Sequence, residues 1–569
     1  MDQGLDRVGD RLTTAGRTGW RATAAWALAA GVPLAFLGLF FAWPVATLVG
    51  RGFVADGALD LTGFREVFTE PRTWRIIGLT LGQALVGSVL SLLLGIPGAY
   101  VLYRCTFPGR TLVRALVTVP FVLPTVVVGV AFRALLAESG PLGGLGLDGT
   151  FAAIVLALVF FNYSVVVRTV GGLWEHLDPR AEQAARALGA SPARAFRTVT
   201  LPALAPAITS AGAVVFLFCA TAFGVVLVLG GQRYATVETE IWMQTVQFLD
   251  LRTAAVLSVV QLVIVTAALW AAARARSRRE HALALSPATR SSRPLRRTDA
   301  LPVAVTAAVV TLLLAWPLGN LVLQSLRTPD GWGLGNYVAL GTTGGRNALT
   351  VTVWEATATS LRTAALAAAV AVVVGGLVAL VVSRRPRSPH ARRAVSVLDA
   401  VVMLPLGVSA VTVGFGFLIT LDRPLGLDVD LRTSGLLVPL AQAVVATPLV
   451  VRTVLPVLRA VDPRQREVAA TLGASPGRVL ATVDWPVAAR SLGLAVGFAF
   501  AVSLGEFGAT SFLARPDTAT LPIVIFRLIG RPGAENYGMA LAASVVLAVV
   551  TATVMLVAER LRGERTGEF

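Results

Sequence analysis

The residue types that most often carry chemistry are few in this 569-residue chain, and they do not cluster. It has two cysteines, Cys105 and Cys219, and three histidines, His176, His281 and His390, all far apart in the sequence. Metal sites and disulfide frameworks need such residues at short, regular spacings. We therefore predict no metal, no cofactor and no catalytic residue. Lysine is absent altogether, which excludes the Gly-Lys-Ser/Thr phosphate loop, so we expect a non-enzymatic chain that does not hydrolyse ATP.

Two polar residues stand inside long apolar runs. Asn162 lies in FFNYSVVV, and Glu506 lies in SLGEFGAT. A polar side chain in a membrane segment either lines a substrate path or hydrogen-bonds a neighbouring helix. Both interpretations stay open. Asn162 and Glu506 are our candidates for a translocation path, and helix-to-helix bonding is the alternative.

The elements that must position these residues are apolar segments long enough to cross a bilayer. Hydrophobic residues make up 55% of the chain and charged residues only 14%, against about 25% charged residues in a soluble domain. A membrane-spanning helix needs about 20 apolar residues and satisfies its own backbone. We predict an all-α polytopic membrane protein with about twelve transmembrane helices, six in each half. The predicted spans are 24–49, 76–103, 113–137, 150–174, 204–230, 253–274, 302–325, 357–382, 394–420, 433–457, 490–514 and 535–560.

The net charge of +17 comes from arginines that cluster between predicted spans instead of covering one face. Arginine-rich connections follow the second, fourth and sixth spans, and the N-terminal tail is also basic. Under the positive-inside rule, these connections and both chain ends are cytoplasmic. We therefore expect a multi-pass protein of the plasma or inner membrane, in contact with the lipid bilayer and without a nucleic-acid partner.

The strongest pattern in the chain is an internal repeat. Residues 178–202 read DPRAEQAARALGASPARAFRTVTLP, and residues 462–486 read DPRQREVAATLGASPGRVLATVDWP. Gly189 and Gly473 are 284 positions apart, and this offset holds across both copies without a gap. The repeat predicts two homologous six-helix domains. The predicted divisions are a cytoplasmic tail at 1–23, the first domain at 24–274, a cytoplasmic linker at 275–300, the second domain at 301–562 and a tail at 563–569.

Each copy has the start and stop signals of a helix–turn–helix. Asp178 and Ser191 are favoured N-caps, and Pro179 and Pro192 suit the first helical position. Gly189 is suited to end the first helix. We therefore expect two cytoplasmic corners between the fourth and fifth spans of each half. They are named elbow 1 (178–202) and elbow 2 (462–486) below.

The elbows resemble the EAA loop of permease subunits of binding-protein-dependent ABC importers of the type I fold. That loop reads roughly Glu-Ala-Ala, three residues, then Gly, and ends near Leu-Pro; in the family it sits in a cleft of the cytoplasmic ATPase. The resemblance implies ATPase-coupling roles for Gln183, Ala184, Ala185, Gly189 and Pro202 in elbow 1 and for Glu467, Ala469, Gly473 and Pro486 in elbow 2. Two residues depart from the pattern. Gln183 stands where glutamate is expected, and Trp485 replaces the leucine before the proline.

The same resemblance implies partners and a cargo. It implies two ATP-binding cassette ATPase subunits, one for each elbow, and an extracytoplasmic substrate-binding protein. ATP-driven closure of the ATPase pair would then drive alternating access between the halves. The stretches 102–110, 218–231 and 503–526 are similar to those of thiamine permeases, so thiamine is slightly favoured over ferric iron as the cargo.

Two other functions stay open at this point. One is an importer of another small ligand or ion, such as molybdate or sulfate. The other is an ion-driven secondary transporter, which is disfavoured because such a transporter has no use for paired cytoplasmic elbows.

Overall fold

The computed structural model describes residues 26–55, 58–231, 233–277, 293–384, 388–422, 424, 428 and 430–563. Several sequence predictions fall outside these residues. They are the N-terminal tail at 1–23, His281 with residues 278–292 of the linker, and residues 564–569 of the C-terminal tail.

The first half of the described chain is built almost wholly from helices, as its apolar runs predict. The helices are α1 (Trp26–Phe53), α2 (Thr62–Thr69), α3 (Pro71–Arg104), α4 (Arg110–Val122), α5 (Thr125–Leu136), α6 (Phe151–His176), α7 (Arg180–Ala187), α8 (Pro192–Ala220), α9 (Gly224–Gly230), α10 (Val237–Val246) and α11 (Leu251–Ser277).

The second half repeats this pattern. Its helices are α12 (Arg297–Ser325), α13 (Gly335–Ala339), α14 (Val353–Val382), α15 (Pro389–Gly407), α16 (Ala410–Thr420), α17 (Leu437–Ala460), α18 (Pro463–Thr471), α19 (476–504), α20 (Thr510–Leu513), α21 (Leu521–Ile529) and α22 (Ala534–Gly563).

Within the described residues, nine helices are long and apolar enough to cross a membrane. The number rises to twelve if each of three bent helix pairs is one span. The helices α4 and α5 meet at 107°, α15 and α16 meet at 98°, and α19 bends by 54° between Ala489 and Ser491. Pro124 lies in the first of these breaks, where its missing N–H and its ring oppose a continuous helix. The predicted all-α membrane fold is confirmed, and twelve spans is the upper count.

Two of the predicted spans are wrong at their C-terminal ends. The run 204–230 is interrupted, because α8 ends at Ala220 and α9 begins at Gly224. The run 490–514 is interrupted in the same way, because α19 ends at Leu504 and α20 begins at Thr510. Average hydropathy does not register such breaks, because they are short and contain apolar residues such as Phe223 and Phe507.

The described chain also has two short 3₁₀ turns, Gly143–Leu145 and Leu431–Thr433, and three two-residue strand pairs. Val54–Ala55 pairs antiparallel with Ala58–Leu59, Cys105–Thr106 pairs parallel with Arg293–Pro294, and Arg327–Thr328 pairs antiparallel with Gly331–Trp332. The second pair joins the end of α3 to the segment that leads into α12.

The chain divides into two compact units, and each unit takes segments from both sequence halves. The larger unit comprises Leu48–Thr359 and Ala514–Ala552, and the smaller unit comprises Met1–Thr47, Ser360–Leu513 and Thr553–Phe569. The domain boundaries at 24–274 and 301–562 rest on the sequence repeat alone and stay a prediction.

In the larger unit, α3 and α6 pack along their length, α8 packs on both, and α12 packs on α3 and α5. The core is apolar and aromatic, with Phe132 and Phe160 in edge-to-face contact at 5.7 Å between ring centroids. A Cβ atom on Gly98 would overlap the hydroxyl of Tyr163. Small residues permit this close helix approach, which is the main source of packing energy between helices in lipid.

In the smaller unit, α17 packs against α19, and α16 packs against α20. The first helix of the chain also belongs here, with the rings of Phe40 and Phe417 at 6.1 Å between centroids. Gly416 brings the backbone of α16 close to Pro44, since a Cβ on it would lie 3.0 Å from that ring. The unit therefore has its own packed core.

Candidate functional site

Elbow 1 has the predicted helix–turn–helix form. The Asp178 carboxylate accepts a 2.9 Å hydrogen bond from the backbone N–H of Arg180, where α7 begins. This start is one residue later than predicted from Pro179. The Ser191 hydroxyl oxygen accepts a 3.3 Å bond from the N–H three residues on and caps α8. Gly189 lies between the helices with φ at +89°.

Elbow 2 repeats this geometry. The Asp462 carboxylate accepts a 2.9 Å bond from the N–H of Arg464, and α18 begins at Pro463, the counterpart of Pro179. The Ser475 hydroxyl oxygen accepts a 3.4 Å bond from an N–H in the first turn of the next helix. Gly473 occupies the corner with φ at +84°.

The corner glycines are required by backbone conformation and not by crowding. An added Cβ on Gly189 or Gly473 would meet no atom within 4 Å. The left-handed region costs other L-residues about 1–2 kcal/mol. Each elbow therefore turns at its glycine because the backbone there can adopt a positive φ without strain.

Both elbows present exposed apolar side chains at the same position. Leu188 is 89% exposed and its counterpart Leu472 is 82% exposed, each just before the corner glycine. The predicted coupling residues are accessible or partly accessible as well. Gln183, Ala184, Gly189, Pro202, Glu467, Gly473 and Pro486 are exposed, and Ala185 and Ala469 are half-buried. The small side chains leave room for another protein's groove to approach the helix backbone closely.

Pro202 and Pro486 lie inside long helices and not at their ends. Each follows a five-residue π-helical turn, Phe196–Thr200 in α8 and Leu480–Asp484 in α19. Proline removes the N–H that would bond the carbonyl four residues back. The π-helix is rare and occurs mostly as a single turn within an α-helix, frequently at a functional site.

A buried cluster of salt-bridged side chains joins elbow 2 to its membrane helices. The Asp484 carboxylate, 1% exposed, accepts a 2.8 Å hydrogen bond from the Arg466 guanidinium of α18. It also accepts a 2.6 Å bond from Arg384, which follows α14. Arg466 donates a further 3.0 Å bond to the carbonyl oxygen of Leu458 in α17. Charge-assisted bonds of this kind are about twice as strong as neutral ones.

Elbow 1 has a weaker attachment at the matched positions. Glu182 replaces Arg466, Thr200 replaces Asp484, and the Thr200 hydroxyl donates a 3.1 Å hydrogen bond to the Glu182 carboxylate. A cavity of about 230 Å³ lies between α7 and α8, lined in part by Arg104, Glu182 and Thr200. The sequence analysis missed both attachments. The differences in charge between Glu182 and Arg466 and between Thr200 and Asp484, at matched repeat positions, could have indicated them.

The structure gives Asn162 a helix-to-helix contact. Its side-chain amide donates a 2.8 Å hydrogen bond to the carbonyl oxygen of Leu158, one turn back in α6. The same nitrogen lies 3.4 Å from the sulfur of Cys219 in α8. The Asn162 Oδ1 atom is buried and has no hydrogen-bond partner among the described residues. Its role in a translocation path stays a prediction.

Glu506 occupies the break between α19 and α20, where it is 7% exposed. Its carboxylate accepts bonds of 2.7 Å from the N–H of Ala509 and 2.9 Å from the N–H of Thr510, as well as the Thr510 hydroxyl. Gln442 of α17 donates to that hydroxyl oxygen at 3.3 Å. Glu506 thus caps α20 locally, a structural role that neither earlier interpretation included. A path role stays a prediction.

The break after α8 is held by glutamine side chains that the sequence analysis did not single out. Gln83 of α3 donates a 2.8 Å bond to the carbonyl oxygen of Cys219. Gln261 of α11 donates to the carbonyl oxygen of Ala220 at 3.2 Å and to the buried carboxylate of Glu238 at 2.8 Å. Gln83 and Gln261 are each a single polar residue within an apolar run. The criterion that selected Asn162, a polar side chain inside a predicted membrane segment, would therefore have selected them as well.

The cysteines do not form a site with other ligands in the described part of the chain. Cys105 and Cys219 are both buried free thiols. Across the described ranges, no group of three or more His, Cys, Asp or Glu residues could hold a metal ion.

Comparison with known proteins gives a consistent family. Residues 87–280 match the family described as "Binding-protein-dependent transport system inner membrane component". The chain is 27% identical over an alignment of 575 residues to the thiamine transport system permease protein ThiP of Brucella abortus (strain 2308), covering 98% of this chain and 99% of that protein. The ThiP protein of Escherichia coli (strain K12) is 27% identical over 479 residues, with coverage of 82% and 85%.

A single-length permease also matches. The sulfate transport system permease protein CysT of Salmonella typhimurium (strain LT2) is 33% identical over 210 residues, which cover 36% of this chain and 74% of that protein. Among solved structures, a bacterial ABC transporter involved in the import of the acidic polysaccharide alginate aligns with a TM-score of 0.40 and 17% identity, over 47% of this chain and 99% of that chain. From the sequence matches, the chain belongs to the family of binding-protein-dependent transport system inner membrane components, as a fused double permease of an ABC importer.

Proposed function

We propose that this permease carries thiamine into the cell. The observation that carries the proposal is the likeness to thiamine transport system permease proteins along 98% of the chain, including both elbows. The sulfate permease matches only 36% of the chain, so sulfate has weaker support.

The proposed partners are two copies of an ATP-binding cassette ATPase and one extracytoplasmic substrate-binding protein. The family description supports dependence on a binding protein. One ATPase for each elbow is supported by the matched local geometry of elbow 1 and elbow 2. The permease itself contributes no catalytic group to ATP hydrolysis, because a lysine-free chain cannot supply the phosphate-binding loop.

The coupling residues have different roles in this proposal. The small alanines and the exposed side chains of α7 and α18 contact the ATPase, and the corner glycines hold each elbow in shape. Gln183 makes an uncharged contact where Glu467 makes a charged one. The π turns before Pro202 and Pro486 transmit displacement of each elbow into α8 and α19.

The elbows and both chain ends face the cytoplasm in this proposal. The arginine-rich connections support that orientation. Closure of the ATPase pair on ATP then changes the access of the path from one side of the membrane to the other. Asn162 and Glu506 are the candidate path residues, and the buried Oδ1 of Asn162 supports its inclusion.

Transport in proteoliposomes tests the cargo. The full chain is purified with the ATPase and the binding protein that co-purify with it, and radiolabelled thiamine is supplied with ATP. We expect ATP-dependent accumulation that needs the binding protein and that unlabelled thiamine suppresses. Competition by ferric iron or sulfate instead would overturn thiamine as the cargo. Uptake driven by an ion gradient without ATP would overturn the importer mechanism.

Photo-crosslinking tests the docking surface. A benzophenone maleimide is attached to Leu188→Cys or Leu472→Cys in the complex, and we expect crosslinks to the ATPase from both. Leu145→Cys is the control, because this leucine is 61% exposed but lies on the predicted opposite side of the membrane. Crosslinks to the ATPase from position 145 and none from the elbows would contradict the proposal.

A further inference from the structure

The two elbows differ most where each one is attached to its membrane helices. In elbow 2, Asp484 is the centre of a cluster that joins four elements. Arg466 reaches it from α18, Arg384 reaches it from the end of α14, and Arg466 also bonds the Leu458 carbonyl of α17. Asp484 itself belongs to α19. A displacement of α18 therefore acts on α14, α17 and α19 together.

The burial of this cluster makes it stiff. The Asp484 side chain is 1% exposed, and its two arginine partners are 16% and 24% exposed. A buried carboxylate separated from its partners cannot turn to water, so its interactions are costly to break. Two arginines on one carboxylate also restrict its orientation more than a single bond does.

Elbow 1 has no such cluster among the described residues. One bond from the Thr200 hydroxyl to Glu182 joins α7 to α8, and the Glu182 side chain is 31% exposed. A cavity of about 230 Å³ remains behind α7. This cavity opens to solvent, and the partly exposed Glu182 is attracted to the Arg104 guanidinium that also lines it. A shift of α7 towards α8 therefore separates no buried carboxylate that two arginines hold.

We propose that Asp484, with Arg384 and Arg466, is a positioning residue that holds elbow 2 rigidly against its membrane helices, whereas elbow 1 can move relative to its own. The inference rests on the proposed coupling function of the elbows. Motion of the ATPase at elbow 2 passes directly into the membrane helices. Motion at elbow 1 is partly absorbed in the space between α7 and α8.

Spin labels at matched positions measure this difference without any transport assay. A nitroxide is attached to Leu188→Cys or Leu472→Cys in the full chain in lipid nanodiscs, where the two native cysteines are buried. The two leucines have similar exposure, 89% and 82%, so the local surroundings are comparable. We expect a more mobile label at 188 than at 472. Equal mobility at the two positions would overturn the inference.

Removal of the central charge is the second arm. Asp484→Asn is expected to raise label mobility at 472 to the level at 188 and to leave position 188 unchanged. Asp484→Glu retains the charge and should restore part of the immobilisation. Unchanged mobility at 472 in Asp484→Asn, with a monodisperse and helical protein, would overturn the inference.

The third arm builds the ion cluster into elbow 1. It tests whether the cluster restricts the motion of an elbow even if Asp484→Asn does not fold. The double variant Glu182→Arg, Thr200→Asp reproduces the elbow 2 pair, and Arg104 lines the same cavity as a second cation. We expect the label at 188 to lose mobility. Thr200→Asp alone is the control, because it places a carboxylate beside Glu182 and should not immobilise the label. No loss of mobility in the double variant would count against the inference.

A transport readout separates positioning from mere stability. In the reconstituted complex, Asp484→Asn is expected to lower the thiamine transported per ATP hydrolysed several-fold, with ATPase activity retained. An unchanged ratio of thiamine transported to ATP hydrolysed would overturn the positioning role of Asp484. Failure of the coupling function would appear differently, as absent crosslinks and absent uptake in the unsubstituted protein while the mobility difference persists.

Discussion

The side-chain amide of Gln83 lies 2.8 Å from the carbonyl oxygen of Cys219 and donates a hydrogen bond to it. These residues belong to α3 and α8, and Cys219 is in the last turn before α8 ends at Ala220. Carbonyl groups at a helix end lack the regular N–H partners of the helix interior. The backbone N–H of Ala222 reaches this oxygen only at 3.5 Å, so the Gln83 amide supplies the shorter bond and stabilises the break.

Gln83→Leu is therefore expected to lower the thermal stability of the purified chain. The net contribution of such a hydrogen bond is about 0.5–1.5 kcal/mol, because a backbone N–H still reaches the acceptor. Thermal unfolding followed by circular dichroism measures the change. Gln247→Leu is the control, because Gln247 is exposed and its replacement should leave the midpoint almost unchanged. Equal midpoints for Gln83→Leu and the unsubstituted chain would show that the break does not depend on this bond.

Gly473→Val is expected to abolish most ATP-dependent uptake by distorting elbow 2. The reason is the backbone, since a left-handed φ costs an ordinary residue about 1–2 kcal/mol and a β-branched one more. Gly473→Asn should retain more activity, because asparagine tolerates this conformation. Gly477→Val is a matched control four residues on, where the Cβ site is open and φ is ordinary. Normal ATPase binding and uptake in Gly473→Val would contradict a docking role for this corner.

Glu506→Ala is expected to destabilise the start of α20. It removes the acceptor for the N–H groups of Ala509 and Thr510, and each unsatisfied donor costs about 1–3 kcal/mol. Glu506→Gln keeps one acceptor oxygen, so its thermal midpoint should fall between those of Glu506→Ala and the unsubstituted chain. If Glu506 also lines the path, Glu506→Gln will reduce thiamine uptake more than its midpoint explains. A midpoint for Glu506→Ala equal to that of the unsubstituted chain would exclude the capping role.

The thiol of Cys105 is expected to react slowly with maleimide. Burial, and then the nearby carboxylate of Asp299, raise the pKa of this thiol above its ordinary value. Because the thiolate is the reactive form, a raised pKa lowers the reactive fraction at any pH below it. The labelling rate of Cys105 should therefore rise at higher pH than that of Leu188→Cys, which supplies an exposed reference thiol. Mass spectrometry of labelled peptides across a pH series measures both, and coinciding pH profiles would contradict the prediction.

Local features of this protein could be predicted well from its sequence. The elbow corners follow from Asp178, Ser191 and Gly189 and from their counterparts 284 positions later, because caps and turns depend on neighbours within a few residues. The spans follow from apolar runs for a similar reason, since a helix in lipid satisfies its own backbone.

The helix breaks and the attachments of the elbows were decided only in the tertiary structure. Arg384 and Asp484 are 100 positions apart, and Gln83 and Cys219 are 136 positions apart. No local pattern connects such residues, because their contact depends on which helices pack together and at what rotation. The sequence by itself therefore determined where the elbows turn, and long-range packing determined how firmly each one is held.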